Sequence, residues 1–149
     1  MNKYYEVKAR FEKTLENGMV KKVKEPYLFD AMSFSEAEAR AIEELTPFAS
    51  GGLEVTDIKR ASYAELFLSD KEAADKWYAV RINFITLDES TGKEKKTKCD
   101  YLVQAADIND ARLSFNEAMK QTMADYEIVS IKETPIMDVF PYVEKGGGQ

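Results

Sequence analysis

Apolar and polar residues alternate along this chain in a pattern that appears twice. From Tyr4 to Thr14, Tyr5, Val7, Ala9 and Phe11 point one way, and Tyr4, Glu6, Lys8 and Arg10 point the other. That period of two is the mark of a strand buried on one face. Lys76-Trp77-Tyr78-Ala79-Val80-Arg81-Ile82-Asn83-Phe84 then repeats the order of Lys3-Tyr4-Tyr5-Glu6-Val7-Lys8-Ala9-Arg10-Phe11, 73 positions earlier, with only the fourth and eighth positions changing type. Glu16-Asn17-Gly18 supplies a hairpin turn, because Asn-Gly tolerates positive φ. A second strand follows over Val20 to Ala31. Pro26 near its middle lacks a donor, so the strand is expected at an edge or with a bulge.

Ser33-Phe34-Ser35-Glu36 reads as a capping box opening a helix. Phe34, Ala37, Ala41, Ile42 and Leu45 form its predicted buried stripe. Thr46-Pro47 and Ser50-Gly51-Gly52 end the helix, and Leu53 to Lys59 is a third strand. Ala61 to Leu68 is open between a short strand and a loop. Ser69 to Asp75 is expected to be a helical turn or two. The second half repeats the plan with Trp77 to Leu87, a turn at Asp88 to Gly92, and Lys93 to Ala105. Asp107 caps a helix burying Ile108, Ala111, Phe115 and Met119, and Tyr126 to Lys132 is the last full strand. Gly18/Gly92, Tyr27/Tyr101, Ala37/Ala111, Ile58/Ile131 and Phe67/Phe140 all fall in register.

The fold expected is α+β. It has two tandem ββαβ repeats related by pseudo-twofold symmetry, each an antiparallel sheet covered by one helix and with room for a short fourth strand. The boundaries are 1–68, a linker over 69–76, 77–142, and a flexible glycine tail over 143–149, with both repeats sharing one core.

Composition narrows the chemistry. The chain has 149 residues, 44% hydrophobic and 32% charged, as a globular protein should. It contains no His, which removes the commonest general base and metal ligand. Cys99 is the single cysteine, so no internal disulfide can form and a reducing cytoplasm is expected. Its phase with Tyr101 and Val103 makes it a core residue. No phosphate-loop, dinucleotide or cofactor motif can be fitted. The start Met-Asn-Lys-Tyr-Tyr-Glu lacks the core of a signal peptide, and no apolar run approaches a membrane span. No enzyme, cofactor, metal site or membrane contact is predicted.

The net charge of −6 argues against a basic nucleic-acid binder, unless charge is segregated by face. One face does gather cations around aromatics. Tyr4, Lys8 and Arg10, with Lys22 and Lys24, form the outward set of the first repeat. Trp77, Arg81 and Asn83, with Lys96 and Lys98, form that of the second. The residues lead to a non-enzymatic protein-contact module, either a homodimer or a modulator that binds a protein partner. The alternative is a binder of single-stranded nucleic acid or a nucleotide on that basic-aromatic face. A second alternative is a His-free hydrolase using acidic residues and a divalent cation.

Several stretches also carry a likeness. They are Tyr5-Glu6-Val7-Lys8, Glu12 to Met19, Ser35 to Arg40, Asp57 to Arg60, Asn83 to Glu89, Met123 to Glu127 and Met137 to Tyr142. Together they resemble the family called domain of unknown function 4494, over nearly the whole chain up to the glycine tail. The resemblance implies a small cytosolic accessory protein of Bacteroides-like bacteria, their phages or mobile elements. It implies no activity and no site residues.

Overall fold

Strand β1 (Lys3–Thr14) buries Tyr5, Val7, Ala9 and Phe11 and turns its other side outward, as the alternation requires. The computed structural model describes residues 3–141; the predicted glycine tail lies outside them. Gly18 at φ 84 makes the turn, closed by Gly18 N donating to the Leu15 carbonyl at 2.9 Å. β2 (Val20–Ala31) returns antiparallel in unbroken register, from Thr14↔Val20 to Lys3↔Ala31.

Helix α1 (Phe34–Leu45) starts where Ser33 Oγ accepts from Glu36 N (3.1 Å), while Glu36 Oε1 accepts from Met32 N (3.2 Å). β3 (Glu54–Ala61) then pairs with the far side of β1. The residues left open between strand and loop contain β4 (Glu65–Phe67).

The second repeat is built likewise from β5 (Lys76–Leu87), β6 (Glu94–Ala105), α2 (Ile108–Ala118) and β7 (Asp125–Glu133). Gly92 at φ 71 makes its turn. Asp107 Oδ1 accepts from Asp110 N (2.8 Å), and Asp110 Oδ2 accepts from Ala106 N (2.9 Å). That is the same reciprocal box in different residues. A last strand, β8 (Val139–Phe140), follows.

The fourth strands are exchanged. The two sheets run β3-β1-β2-β8 and β4-β6-β5-β7. β4, which ends the first repeat, adds in parallel to β6, and β8, which ends the second, adds in parallel to β2. The compact units are therefore residues up to Ala61 together with those from Pro135, and Ser62–Thr134. These cut across the repeat boundaries of the sequence at 68 and 77. The α+β class and the repeated ββαβ arrangement are as expected.

Each unit carries its own apolar cluster between helix and sheet. At equivalent positions the large and small side chains trade places. One unit sets Phe29 on the sheet and Ala41 on the helix; the other sets Val103 on the sheet and Phe115 on the helix, all fully buried. Interior volume is conserved while its source moves from strand to helix.

Two expectations are corrected, and the alternative left open at Pro26 is decided. Phe34, Ile42 and Ile108 are exposed. α1 buries a narrower line, Ala37, Ala41 and Leu45, and the small alanines leave the flanking side chains outside the contact. Phe34 keeps an edge-on contact with Tyr5, with ring centroids 4.9 Å apart. Ser69 to Asp75 is not helical; Ser69 Oγ and the Lys71 carbonyl hold it as a turn, accepting from Lys71 N and Ala74 N. Pro26 sits on an edge without a bulge. Its carbonyl accepts from Met137 N (2.9 Å), so its nitrogen also faces away from β1 and no β1–β2 bond is lost.

Replacing Phe115 by Ala should cost about 3–5 kcal/mol in denaturant unfolding. Adding Val103→Phe should recover part of that loss. A loss under about 1 kcal/mol, or a double variant less stable than the single one, would contradict the volume exchange.

Candidate functional site

Cross-strand register places the sequence-predicted residues on one face of each sheet. Tyr4, Lys8 and Arg10 stand opposite Asp30, Pro26 and Lys24, and Lys22 stands opposite Glu12. Trp77, Arg81 and Asn83 stand opposite Gln104, Asp100 and Lys98, and Lys96 stands opposite Ile85. Each repeat's five residues are thus brought onto a common face. That face is not uniform. Near the hairpin base Trp77 is 3% exposed and Leu28 and Leu102 are fully buried, whereas Lys22, Lys24, Lys96 and Lys98 are exposed.

Carboxylates of the same phase neutralise several of the cations. Arg10 pairs with Glu54. Arg81 forks onto Asp100, with Nε–Oδ1 at 2.9 Å and Nη2–Oδ2 at 3.3 Å. Lys96 meets Glu127 at 3.0 Å, and Asn83 Nδ2 donates to the same carboxylate at 3.1 Å. The Asn83 bond first, and then Lys96, hold the Glu127 carboxyl below its ordinary value. The sequence reading counted the outward cations but not Glu54, Asp100 and Glu127, which the β3, β6 and β7 registers bring beside them. Only strand pairing could reveal those partners.

The distal halves of β2 and β6 are open edges. Along a strand, a residue's N–H and C=O point to one side and its neighbour's to the other. Leu28 N donates to the Asp138 carbonyl (3.0 Å), so even-numbered residues of β2 face β8. β8 reaches only Leu28 and Phe29, leaving Lys22 and Lys24 with no strand beside them among the described residues. Ala64 N donates to the Asp100 carbonyl (2.7 Å), so even-numbered residues of β6 face β4, which stops at Tyr101. Lys96 and Lys98 are therefore the counterparts of Lys22 and Lys24. Among the described residues Lys22, Lys24 and Lys98 make no ion pair. The opposite edges, β3 and β7, are interrupted by bulges at equivalent positions, between Lys8/Ala9 and between Arg81/Ile82.

An open cleft of about 890 Å³ lies in the Ser62–Thr134 unit, lined by Leu66, Leu68, Lys71, Gln104, Asp110 and Leu113. Lys71 Nζ meets Asp110 Oδ1 at 2.8 Å. That bond, with the Ala106 amide, holds the Asp110 carboxyl below its ordinary range. Sequence reasoning missed this pair, because the residues are far apart along the chain. Cys99 is half-buried in the core phase, opposite Ile82. Burial first, and then the contact with Cys99, raise the Tyr101 hydroxyl. Among the described residues no cluster of three or more acidic or cysteine side chains could hold a metal ion. No helix among them is long and apolar enough to cross a membrane.

The model of the family described as Domain of unknown function (DUF4494) matches residues 3–142. No curated protein matches the chain.

Because the Asp110 carboxyl is depressed in the folded state, its contribution is fully present above the unfolded aspartate value, about 3.9. It is lost as pH falls through the lower folded value. Asp110→Asn should therefore lower the melting temperature at pH 7, with the difference from wild type closing towards pH 2. A difference independent of pH would contradict the charged role.

Proposed function

The chain belongs to the DUF4494 family, and on the geometry above we propose that it is a non-enzymatic binding protein that works through protein contacts. It takes an extended, acidic segment of a partner on the open edges of β2 and β6. One observation carries this reading: each of these edges already receives a short parallel strand further along its length, β8 on β2 and β4 on β6. Strand addition is thus an interaction the edges make within the chain, and their remaining length offers the same donors and acceptors.

Charge gives the partner its chemistry. Lys22, Lys24 and Lys98 present ammonium groups to one face and backbone N–H groups to the edge, so carboxylates alternating with apolar residues would complement both. Edge lysines also discourage pairing between identical edges, which directs the site towards an acidic partner. Single-stranded nucleic acid is less favoured. Trp77 is buried, and Arg10, Arg81 and Lys96 are already engaged with carboxylates. The single Cys99 and the family resemblance support a cytoplasmic accessory protein of a bacterium, phage or mobile element.

Labelled decapeptides alternating Glu with Val, or Lys with Val, separate these readings in an anisotropy titration. The acidic peptide should bind and weaken with salt, and the basic one should not. Lys24→Pro and Lys98→Pro remove edge donors that β1 and β5 do not use. Each should weaken binding about tenfold, the scale of one or two hydrogen bonds, while stability changes by less than about 1 kcal/mol. Equal binding of both peptides, or binding indifferent to both prolines, would sink the proposal. Tight, salt-sensitive binding of a labelled single strand that is lost when Lys8, Lys22, Lys24 and Lys98 are neutralised would favour nucleic acid instead.

A further inference from the structure

Residues 136–141 lie against β2 and α1 as a peptide lies in a groove. β2 takes their backbone on one side, through the bonds from Met137 N to the Pro26 carbonyl and from Leu28 N to the Asp138 carbonyl. Where that pairing ends, Arg40 donates to the carbonyls of Phe140 (3.3 Å) and Pro141 (3.2 Å). The same guanidinium bonds the Asp30 carbonyl and sits 5.7 Å from the centre of the Phe29 ring. Ile136 and Val139 are buried. Phe140 stacks on Phe29, with centroids 4.7 Å apart and planes 8° from parallel. Yet the ladder itself involves only Leu28 and Phe29 of β2.

We propose that this groove is a peptide-binding site in its own right, and that its second occupant is residues 136–141 of another copy of the chain, giving a strand-exchanged dimer. Arg40 reads main-chain carbonyls, and the Phe29 ring accepts one aromatic placed next to Val139. A second copy offers those groups in the same order, so exchange conserves the contacts and concentration decides their source. β4 is less suited to exchange. It pairs over three residues and is flanked by further bonds, from Ala64 N to the Asp100 carbonyl and from Ser69 N to Gln104 Oε1. The inference rests on the protein-contact reading only in taking the partner to be a protein, since it uses the β8 stretch of β2 and not Lys22 or Lys24.

The test uses the full chain and a labelled peptide, Pro135-Ile136-Met137-Asp138-Val139-Phe140-Pro141. Phe140→Ala weakens the resident segment and should bind the peptide about tenfold more tightly than wild type, whose groove is already filled. Adding Arg40→Ala should remove that gain. If Phe140→Ala fails to fold by circular dichroism, Val139→Ala serves in its place. By light scattering, wild-type dimer should increase with concentration, and folded Arg40→Ala should show the same dimer fraction, because Arg40 holds the segment equally in monomer and exchanged dimer. Folded variants with no gain in binding, a gain that survives Arg40→Ala, or a strict monomer at every concentration would overturn the inference. If the acidic decapeptide still binds through Lys24 in that event, this inference alone fails and the edge reading stands.

Discussion

Everything in this fold depends on what happens along one side of β2 and of β6. A three-stranded sheet has two edges, and exposed N–H and C=O groups there invite unwanted pairing. On β3 and β7 a bulge in each strand interrupts the edge. On β2 and β6 the chain covers the inner portion with a strand from the end of the other repeat and leaves the outer portion to lysines. Four-stranded sheets result, but only over a few residues. The exchange also explains why each compact unit holds one repeat's helix, and why one unit joins residues up to Ala61 with those from Pro135 while the other is the continuous stretch Ser62–Thr134.

The added strands do more than close edges. Phe67 stacks on Tyr101 at 5.5 Å and meets Phe115 at 5.8 Å, while Phe140 stacks on Phe29 at 4.7 Å. Each short strand therefore completes the aromatic part of a core that its own repeat does not contain. The trade of Phe29 and Ala41 for Val103 and Phe115 shows the two units reaching one interior volume by different routes. Capping follows the same logic, since Ser33 with Glu36 and Asp107 with Asp110 tie off the two helices by the same pair of reciprocal bonds. The two repeats share one plan and differ in the residues that supply its volume and its hydrogen bonds.

Local chemistry was legible in the sequence; long-range pairing was not. Period-two alternation located β1 and β5, the turn glycines located both hairpins, and the capping residues located both helices, because each signal acts over a few residues. The equivalence of Phe67 and Phe140 was visible as a repeat. Nothing local said that each belongs to the other repeat's sheet. The helix stripe was read too wide at Phe34, Ile42 and Ile108, since sequence period cannot tell how closely alanines let a helix approach. At the candidate site the phase of Tyr4, Lys8, Arg10, Trp77 and Arg81 was correctly grouped, but the carboxylates of β3, β6 and β7 that engage Arg10, Arg81 and Lys96 appear only once register is known. The edge role of Lys22, Lys24, Lys96 and Lys98 depends on where β8 and β4 stop, which composition does not encode.

Amide hydrogen exchange tests the open edges most directly. The account requires a period of two along the outer halves of β2 and β6. The amides of Lys21, Val23 and Glu25, and of Lys95, Thr97 and Cys99, bond to the neighbouring hairpin strand and should exchange slowly. Those of Lys22, Lys24, Lys96 and Lys98 should exchange fast in the protein alone and slow when an acidic extended peptide is added. Uniform protection across both strands in the protein alone, or fast exchange at the even positions that no acidic peptide slows, would contradict it.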